Sequence, residues 1–222
     1  MTRAQLRAEL QATGFGVSTA DVTSQNYWLD AAYTWVWNAA DWSFLNVDQA
    51  SLAVTVGDDT PTMPGDLGVV RWILDDAGSE LEELEPRNFD DLYRPGVIDA
   101  VRATPSSFKV VNRIVTLGPV PDATKTFTWS YERRVSHYQS DGVTVASGTM
   151  GADADIPLWP ADHHQVLVWA AATVGHGARS SPAAATMQAL RDDALAAMEA
   201  DIAVSLPVAR QMGSYSDAYG DW

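Results

Sequence analysis

The sequence predicts an α+β protein in which a helical bundle is interrupted by an inserted, mostly antiparallel β domain, with an extended C-terminal tail. Three observations support this class. Apolar residues recur with a helical period over residues 25–42 and again after residue 160. Between these segments the pattern changes to alternation, which is typical of strands. After residue 206 the chain carries aromatic residues and glycines but no apolar period.

The domain boundaries are predicted from these changes of period. Residues 1–48 and 156–206 form the helical bundle, and residues 49–138 form the inserted β domain. Residues 139–155 are rich in glycine and aspartate and have little apolar bulk, so they are predicted as a flexible loop. Residues 207–222 form a C-terminal arm.

Three helices supply most of the predicted bundle core, after a short first helix over residues 2–12. The segment 25–42 is predicted as one helix and carries four of the nine tryptophans. Further apolar helices follow residue 160 and residue 182. The side chains expected in the bundle core are Trp28, Trp35, Trp42, Trp169 and Met198. Tryptophans that stack on a sugar or a base remain the alternative for such a row.

The β domain shows its clearest pattern over residues 125–134, where Phe127, Trp129 and Tyr131 alternate with polar residues. This period of two predicts a strand with one aromatic face toward the core. Residues 51–56 and 69–74 are also predicted strands because turn residues follow each of them. Residues 108–117 are predicted to form a hairpin that turns at Asn112 and Arg113.

The charge balance makes this chain a poor candidate for a protein that grips nucleic acid. It has 14 basic and 29 acidic residues, for a net charge of −15, whereas affinity for DNA depends on cations that contact phosphates. No cysteine is present, which excludes thiol catalysis and cysteine-bound zinc. No apolar run is long enough to span a membrane, and the first residues lack the apolar core of a signal peptide.

The sequence contains no catalytic, cofactor or metal motif. His163 and His164 are adjacent, so on a helix they point about 100° apart and do not form a chelating pair. Paired aspartates beside tryptophans suggest a glycosidase as an alternative. Most of these pairs lie at predicted turns or on solvated faces, however, where aspartate is expected for local reasons. We therefore expect a structural protein rather than an enzyme.

Four patches, taken in order, resemble the head-to-tail adaptor proteins of tailed bacteriophages, also called connector, tail tubular or gatekeeper-like proteins. The first is an early helix that ends in an aromatic pair, and the second is a strand–proline–strand passage with an acidic link. The third is a hairpin, a P-x-P turn and a strand that ends in tyrosine and basic residues, and the fourth is a proline-rich entry into an apolar helix. The patches are DAAYTWVWNAADWSFL, TPTMPGDLGVVRWIL with ELEELEPRNFDDLYRPG, ATPSSFKVVNRIVTLGPVPDATKTFTWSYERR, and DADIPLWPADHHQVLVWAAATVG.

The resemblance implies a ring of copies, commonly twelve, in the virion neck between capsid and tail, after assembly in the host cytoplasm. Its implied partners are other copies of the chain, the portal protein, a tail or stopper protein, and double-stranded DNA that passes without specific binding. A stopper or tail-completion protein of the same neck is the alternative, and a tryptophan-rich glycan-binding or hydrolytic module is an alternative of another class.

Two groups of residues are expected to serve this role. Aromatic residues and arginine are common at the centre of protein interfaces, so the C-terminal arm is expected to dock on the portal or on a neighbouring copy. Its anchors are Arg210, Tyr215, Tyr219 and Trp222. Acidic clusters are expected to face a channel lumen or solvent. They are Asp58, Asp59, Asp75, Asp76, Asp153 and Asp155.

Overall fold

A computed structural model describes residues 1–13, 20–93 and 102–202, and it confirms the α+β class. The helices are α1 (Arg3–Ala12), α2 (Val22–Trp37), α3 (Pro86–Tyr93), α4 (Gln165–Ala178) and α5 (Ala184–Ile202). The strands are β1 (Asn46–Val54), β2 (Leu67–Leu74), β3 (Glu82–Glu83), β4 (Ser107–Val111), β5 (Ile114–Gly118), β6 (Lys125–Arg133), β7 (Ser136–Tyr138), β8 (Val145–Ser147) and β9 (Ile156–Pro157).

The helical core is built around α4, which packs against α1, α2 and α5. Apolar residues occupy most of the circumference of α4, so other helices can pack against most of its sides. Gly175 of α4 lies directly against Trp28 of α2, since a Cβ added there would be 3.0 Å from the indole ring. Trp28 and Met198 are buried in this core, and Trp169 is partly buried against it.

A second core lies between two three-stranded sheets. The first has the order β1-β6-β2 and is antiparallel, and the second has the order β3-β4-β5 with one parallel pair. Phe127, Trp129 and Tyr131 of β6 are 0%, 1% and 5% exposed, so the predicted inward face is confirmed. The predicted hairpin is also confirmed: β4 and β5 pair around Asn112 and Arg113.

One arginine connects the two cores. Arg133, at the end of β6, donates from Nε to Oδ2 of the buried Asp66 at 2.9 Å and from Nη1 to the carbonyl oxygen of Phe44 at 3.0 Å. Tyr131 donates to the other oxygen of Asp66 at 3.2 Å. The carboxylate is therefore shared by two neighbours, and the guanidinium links the first sheet to the segment that leaves the bundle.

The aromatic helix is shorter than the sequence predicts. α2 ends at Trp37 rather than at Trp42, and the chain then turns so that Trp42 folds back under the helix end. Its Nε1 donates to the carbonyl oxygen of Val36 at 2.8 Å, and the side chain is fully buried. Trp42 is thus in the core, as expected, but it reaches the core from beyond the helix.

The expectation that Trp35 lies in the core is wrong, because its side chain is 38% exposed. Three buried residues of α2, Leu29, Ala32 and Val36, lie about 40–100° around the helix axis from Trp28 in one direction. Trp35 lies about 20° from Trp28 in the opposite direction. Trp35 is therefore at the edge of the packed face. There the Arg191 guanidinium of α5 covers it, with Cζ 4.5 Å from a ring centroid.

Residues 139–155 were predicted as a flexible loop, but the structure places β8 within this segment, in a small sheet of order β8-β7-β9. Tyr33 of α2 anchors that sheet: its hydroxyl donates to the carbonyl oxygen of Ser136 at 2.6 Å and accepts from the Leu158 backbone at 3.3 Å. The short sheet is thus attached to the helical core.

Candidate interaction surfaces

Four predicted acidic residues gather at one end of the first sheet. Because β1 and β2 both run antiparallel to β6, both end where β6 begins. Asp58 and Asp59 follow β1, and Asp75 and Asp76 follow β2. The opposite end of β6 carries the Arg133 link to the bundle, so these turns lie at the end of the sheet farthest from that link.

Most of these carboxylates also stabilise their own turns. Asp75 accepts hydrogen bonds from the backbone of Ala77 and Ser79 at 2.9 and 2.8 Å. Asp58 accepts one from Thr60 at 3.0 Å. Turn formation alone explains why aspartate occurs here. Asp58 and Asp76 are exposed, and Lys125 of β6 forms an ion pair with Asp76 at 3.1 Å, so that the charge of Asp76 is partly balanced.

The expectation that Asp155 faces a lumen or solvent is wrong, because it is 6% exposed. Its Oδ2 accepts hydrogen bonds from the backbone N–H groups of Gly151 and Ala152 at 2.8 and 2.7 Å, and it lies 3.2 Å from Nε2 of His137. Nδ1 of that histidine is 3.0 Å from the carbonyl oxygen of Gly148. Asp155 therefore organises the 148–155 turn rather than an external surface.

Asp153 is exposed, but its charge is partly balanced. Arg7 of α1 donates to its Oδ1 at 2.6 Å, and this hydrogen bond lowers the pKa of the Asp153 carboxyl below its usual range. Nearby, Nη2 of the buried Arg3 donates to both carboxylate oxygens of Asp30 at 3.0 Å, and Nη1 donates to the carbonyl oxygen of Met150. Residues 150–155 are thus fixed to α1.

The C-terminal arm anchors Arg210, Tyr215, Tyr219 and Trp222 lie outside the described residues. Their docking role stays a prediction. Within the described part of the chain, no helix is long and apolar enough to cross a membrane, and no group of three or more histidines and carboxylates is close enough to hold a metal ion.

A groove lies where the bundle meets the first sheet, and we call it the bundle–sheet groove. It encloses about 370 Å³. Trp37 and Leu45 supply apolar walls, and each is almost fully buried. Its polar groups come from Asn38, Asp41 and Glu132. The sequence offered no signal for this groove, because its lining is brought together only when the chain turns after α2 and β6 returns beside it.

A second, wider groove of about 490 Å³ crosses the outward face of the first sheet, and we call it the outer-sheet groove. Thr126 and Thr128 of β6 form part of its lining, together with the partly buried Trp72 and the acidic turn at Asp75 and Asp76. A tryptophan beside hydroxyls and carboxylates is also the composition of many sugar subsites.

The tip of the β4–β5 hairpin exposes two apolar side chains. Val111 and Ile114 are 41% and 53% exposed on either side of Asn112 and Arg113. Both central residues have positive φ, 52° and 67°, as a tight two-residue hairpin turn requires. The sequence predicted the turn, but it did not indicate that its apolar neighbours would stay uncovered.

Comparison with known proteins gives one family. A family model described as SU10 adaptor protein matches residues 1–211 of the chain. The match covers both cores and the third small sheet, and it extends past α5. No curated protein matches the chain.

Proposed function

Because the chain belongs to the SU10 adaptor protein family, a family of bacteriophage adaptor proteins, we propose that it is a structural component of the virion neck. In this role copies of the chain form a ring that joins the portal to the tail and lines part of the DNA channel. The family match over residues 1–211 is the observation that carries this proposal. We expect no catalytic activity.

The charge of the chain supports a channel role. Each copy carries a net charge of −15, so a ring of copies would surround its channel with like charge. DNA phosphates are repelled by such a wall, and few cations are present to hold them. We propose that the turns with Asp58, Asp59, Asp75 and Asp76 face either this channel or solvent, and that DNA slides past without binding.

The C-terminal arm supplies the proposed contact with the portal or with a neighbouring copy. Arg210 lies at its base, and Tyr215, Tyr219 and Trp222 follow. These residue types dominate the binding energy of many interfaces. Such an arm suits a neck protein, which must contact partners of different shape.

The proposal is tested by co-sedimentation of the purified chain with the portal protein of the same phage. The full chain should sediment with the portal, and a chain that lacks residues 208–222 should remain in the supernatant. A chain with Tyr27→Ala, an exposed residue of α2, is a matched control for loss of an aromatic surface group. Equal sedimentation with and without the arm would contradict the role of the arm, and no sedimentation of the full chain would contradict a portal contact.

That second result would favour the neighbouring position, in which the chain is a stopper or tail-completion protein farther from the portal. The two positions differ in partner: a stopper should sediment with the assembled adaptor or the tail, not with the portal alone.

The outer-sheet groove supports a glycan-binding module as the second candidate function, because Trp72 lies there beside hydroxyl and carboxylate groups. Tryptophan fluorescence in the presence of an oligosaccharide panel tests it. Quenching that disappears in Trp72→Ala would support this function. No change with any oligosaccharide would refute it.

A further inference from the structure

Two surfaces of the chain have complementary charge: the exposed tip of the β4–β5 hairpin carries Arg113, and the bundle–sheet groove carries Asp41 and Glu132. We propose that the hairpin tip of one copy docks into the bundle–sheet groove of a second copy, with Arg113 between Asp41 and Glu132. This inference rests on the proposed function, because it names the contact that would join neighbouring copies of the ring.

The tip has the features of a contact surface. Arg113 occupies a position with a φ of 67°, where glycine is the preferred residue of a two-residue hairpin turn. The chain instead carries a long cation there, and the structure gives it no ion pair or hydrogen bond within the described residues. The flanking Val111 and Ile114 add apolar surface on both sides of that charge.

Helix α3 shows why this part of the hairpin stays uncovered. It lies on the outward face of β4 and β5, where Tyr93 packs so closely on Gly118 that a Cβ added there would be 2.6 Å from the ring. Phe89 lies beneath Lys109, whose Nζ is 4.9 Å from the ring centroid. The helix therefore covers the base and middle of the hairpin, and the pair Val111 and Ile114 extends beyond it.

The groove matches this tip in chemistry. Trp37 and Leu45 are almost fully buried, so the groove would attract the tip mainly through its carboxylates, which suit a guanidinium. Asp41 is exposed and makes no ion pair within the described residues. Glu132 contacts Arg71 through Oε2 at 3.2 Å, which leaves its other oxygen for a second cation. Arginine is well suited to contact two carboxylates because it has several donors in a fixed plane.

A copy cannot fill its own groove with its own tip. Glu132 lies on the outward face of β6, since it alternates with the inward-facing Tyr131. The hairpin packs against the opposite, inward face through Phe108, Val115 and Leu117, which share a core with Phe127 and Trp129. The tip and the groove are thus on opposite sides of the first sheet, and a second copy must supply the partner.

A contact between different surfaces of two identical chains is head-to-tail, and repetition of such a contact closes into a ring when the rotation permits it. The tip-in-groove contact therefore provides a ring-forming interface that needs no exchange of the C-terminal arm.

Charge reversal tests the contact in the full chain by the dissociation constant of self-association, measured by sedimentation velocity. Arg113→Glu and Asp41→Arg should each weaken self-association by about tenfold or more, because each places like charges together. A chain with both changes should recover most of the affinity. Arg87→Glu and Asp193→Arg are matched controls at exposed sites, and they should change it less than about twofold. Unchanged single variants, or a double variant no better than the singles, would overturn the proposal.

Cysteine cross-linking provides a second test that does not depend on a stable ring, and the chain has no native cysteine to interfere. Ala40→Cys and mass-tagged Ile114→Cys chains are mixed and oxidised, and the mixed disulfide dimer is quantified by mass spectrometry. It should exceed the dimer formed by Ala40→Cys with tagged Ser79→Cys, which lies in an exposed turn after β2. Equal yields overturn the contact whether or not the chain binds the portal. A chain that cross-links as expected but does not sediment with any neck protein would refute the proposed function and leave the contact standing.

Discussion

Loss of the Tyr33 hydroxyl should destabilise the chain by about 2 kcal/mol, because two buried backbone groups would lose their partner. The hydroxyl donates to Ser136 and accepts from Leu158, and the Tyr33 side chain is fully buried. Burial raises the pKa of this phenol above its usual value of 10.0, so the group stays protonated and acts as a donor. A buried polar group left without a partner costs about 1–3 kcal/mol, and the longer of the two bonds contributes less.

Tyr33→Phe removes only the oxygen and keeps the ring that packs on Trp159, with 4.7 Å between the two centroids. For a chain of this size, about 2 kcal/mol corresponds to a decrease of about 4–8 °C in Tm. Thermal unfolding followed by circular dichroism, together with urea titration, measures the change.

Tyr27→Phe is the matched control, because this residue lies on the same helix and is 68% exposed. Its effect should stay within about 0.5 kcal/mol. If Tyr33→Phe is as stable as the native chain, or if both variants lose the same stability, the proposed anchor between α2 and the third sheet is refuted.

Three further predictions concern close packing and pH. Gly175→Ala should lower the free energy of unfolding by about 1–3 kcal/mol, because the new Cβ would be 3.0 Å from Trp28. Gly177→Ala, on the same helix, is the control: its Cβ would have nothing within 4 Å, and stability should rise by up to about 1 kcal/mol. Equal urea midpoints for the two variants would contradict the contact between Gly175 and Trp28. Gly118→Ala should lower the free energy of unfolding by about 1–3 kcal/mol, because the new Cβ would displace Tyr93. Gly65→Ala, which has open space around it, should have little effect. Equal loss of stability in both variants would show that the Tyr93 contact is not the cause. Burial lowers the pKa of His164 from 6.5 to about 4, so the folded chain binds a proton less readily than the unfolded chain. Stability should therefore be fully present above pH 6.5 and decline by up to about 3 kcal/mol as the pH falls to 4. His164→Gln should make this decline of stability smaller in urea titrations at several pH values. Part of the decline should remain, because burial also lowers the pKa of His176. An identical decline in the variant would refute the assignment to His164.

The sequence predicted the elements whose signal is local. In β6 each inward residue is aromatic and most of its neighbours are polar, so the alternation alone defines the face that Phe127 and Trp129 present to the core. The β4–β5 hairpin was predictable for the same reason, since two apolar runs flank a pair of turn residues. Both results concern residues close together in the chain.

The sequence failed where distant contacts decide the outcome. The position of Trp35 depends on which side of α2 faces α4, and a helix with apolar residues around most of its circumference does not reveal this. Trp42 continues the helical period, yet its indole bonds to Val36 only because the chain turns first. Asp155 resembles a surface aspartate in sequence, but it is buried because His137 and two backbone N–H groups surround it.

Electron cryo-microscopy of the portal vertex in the phage particle that carries this chain would show whether the chain forms a ring in the neck. We expect a ring between portal and tail into which the described residues fit, with the helical core and the two-sheet core of each copy resolved around the DNA channel. Density for the chain elsewhere in the particle, or a neck in which no ring accepts this fold, would contradict it.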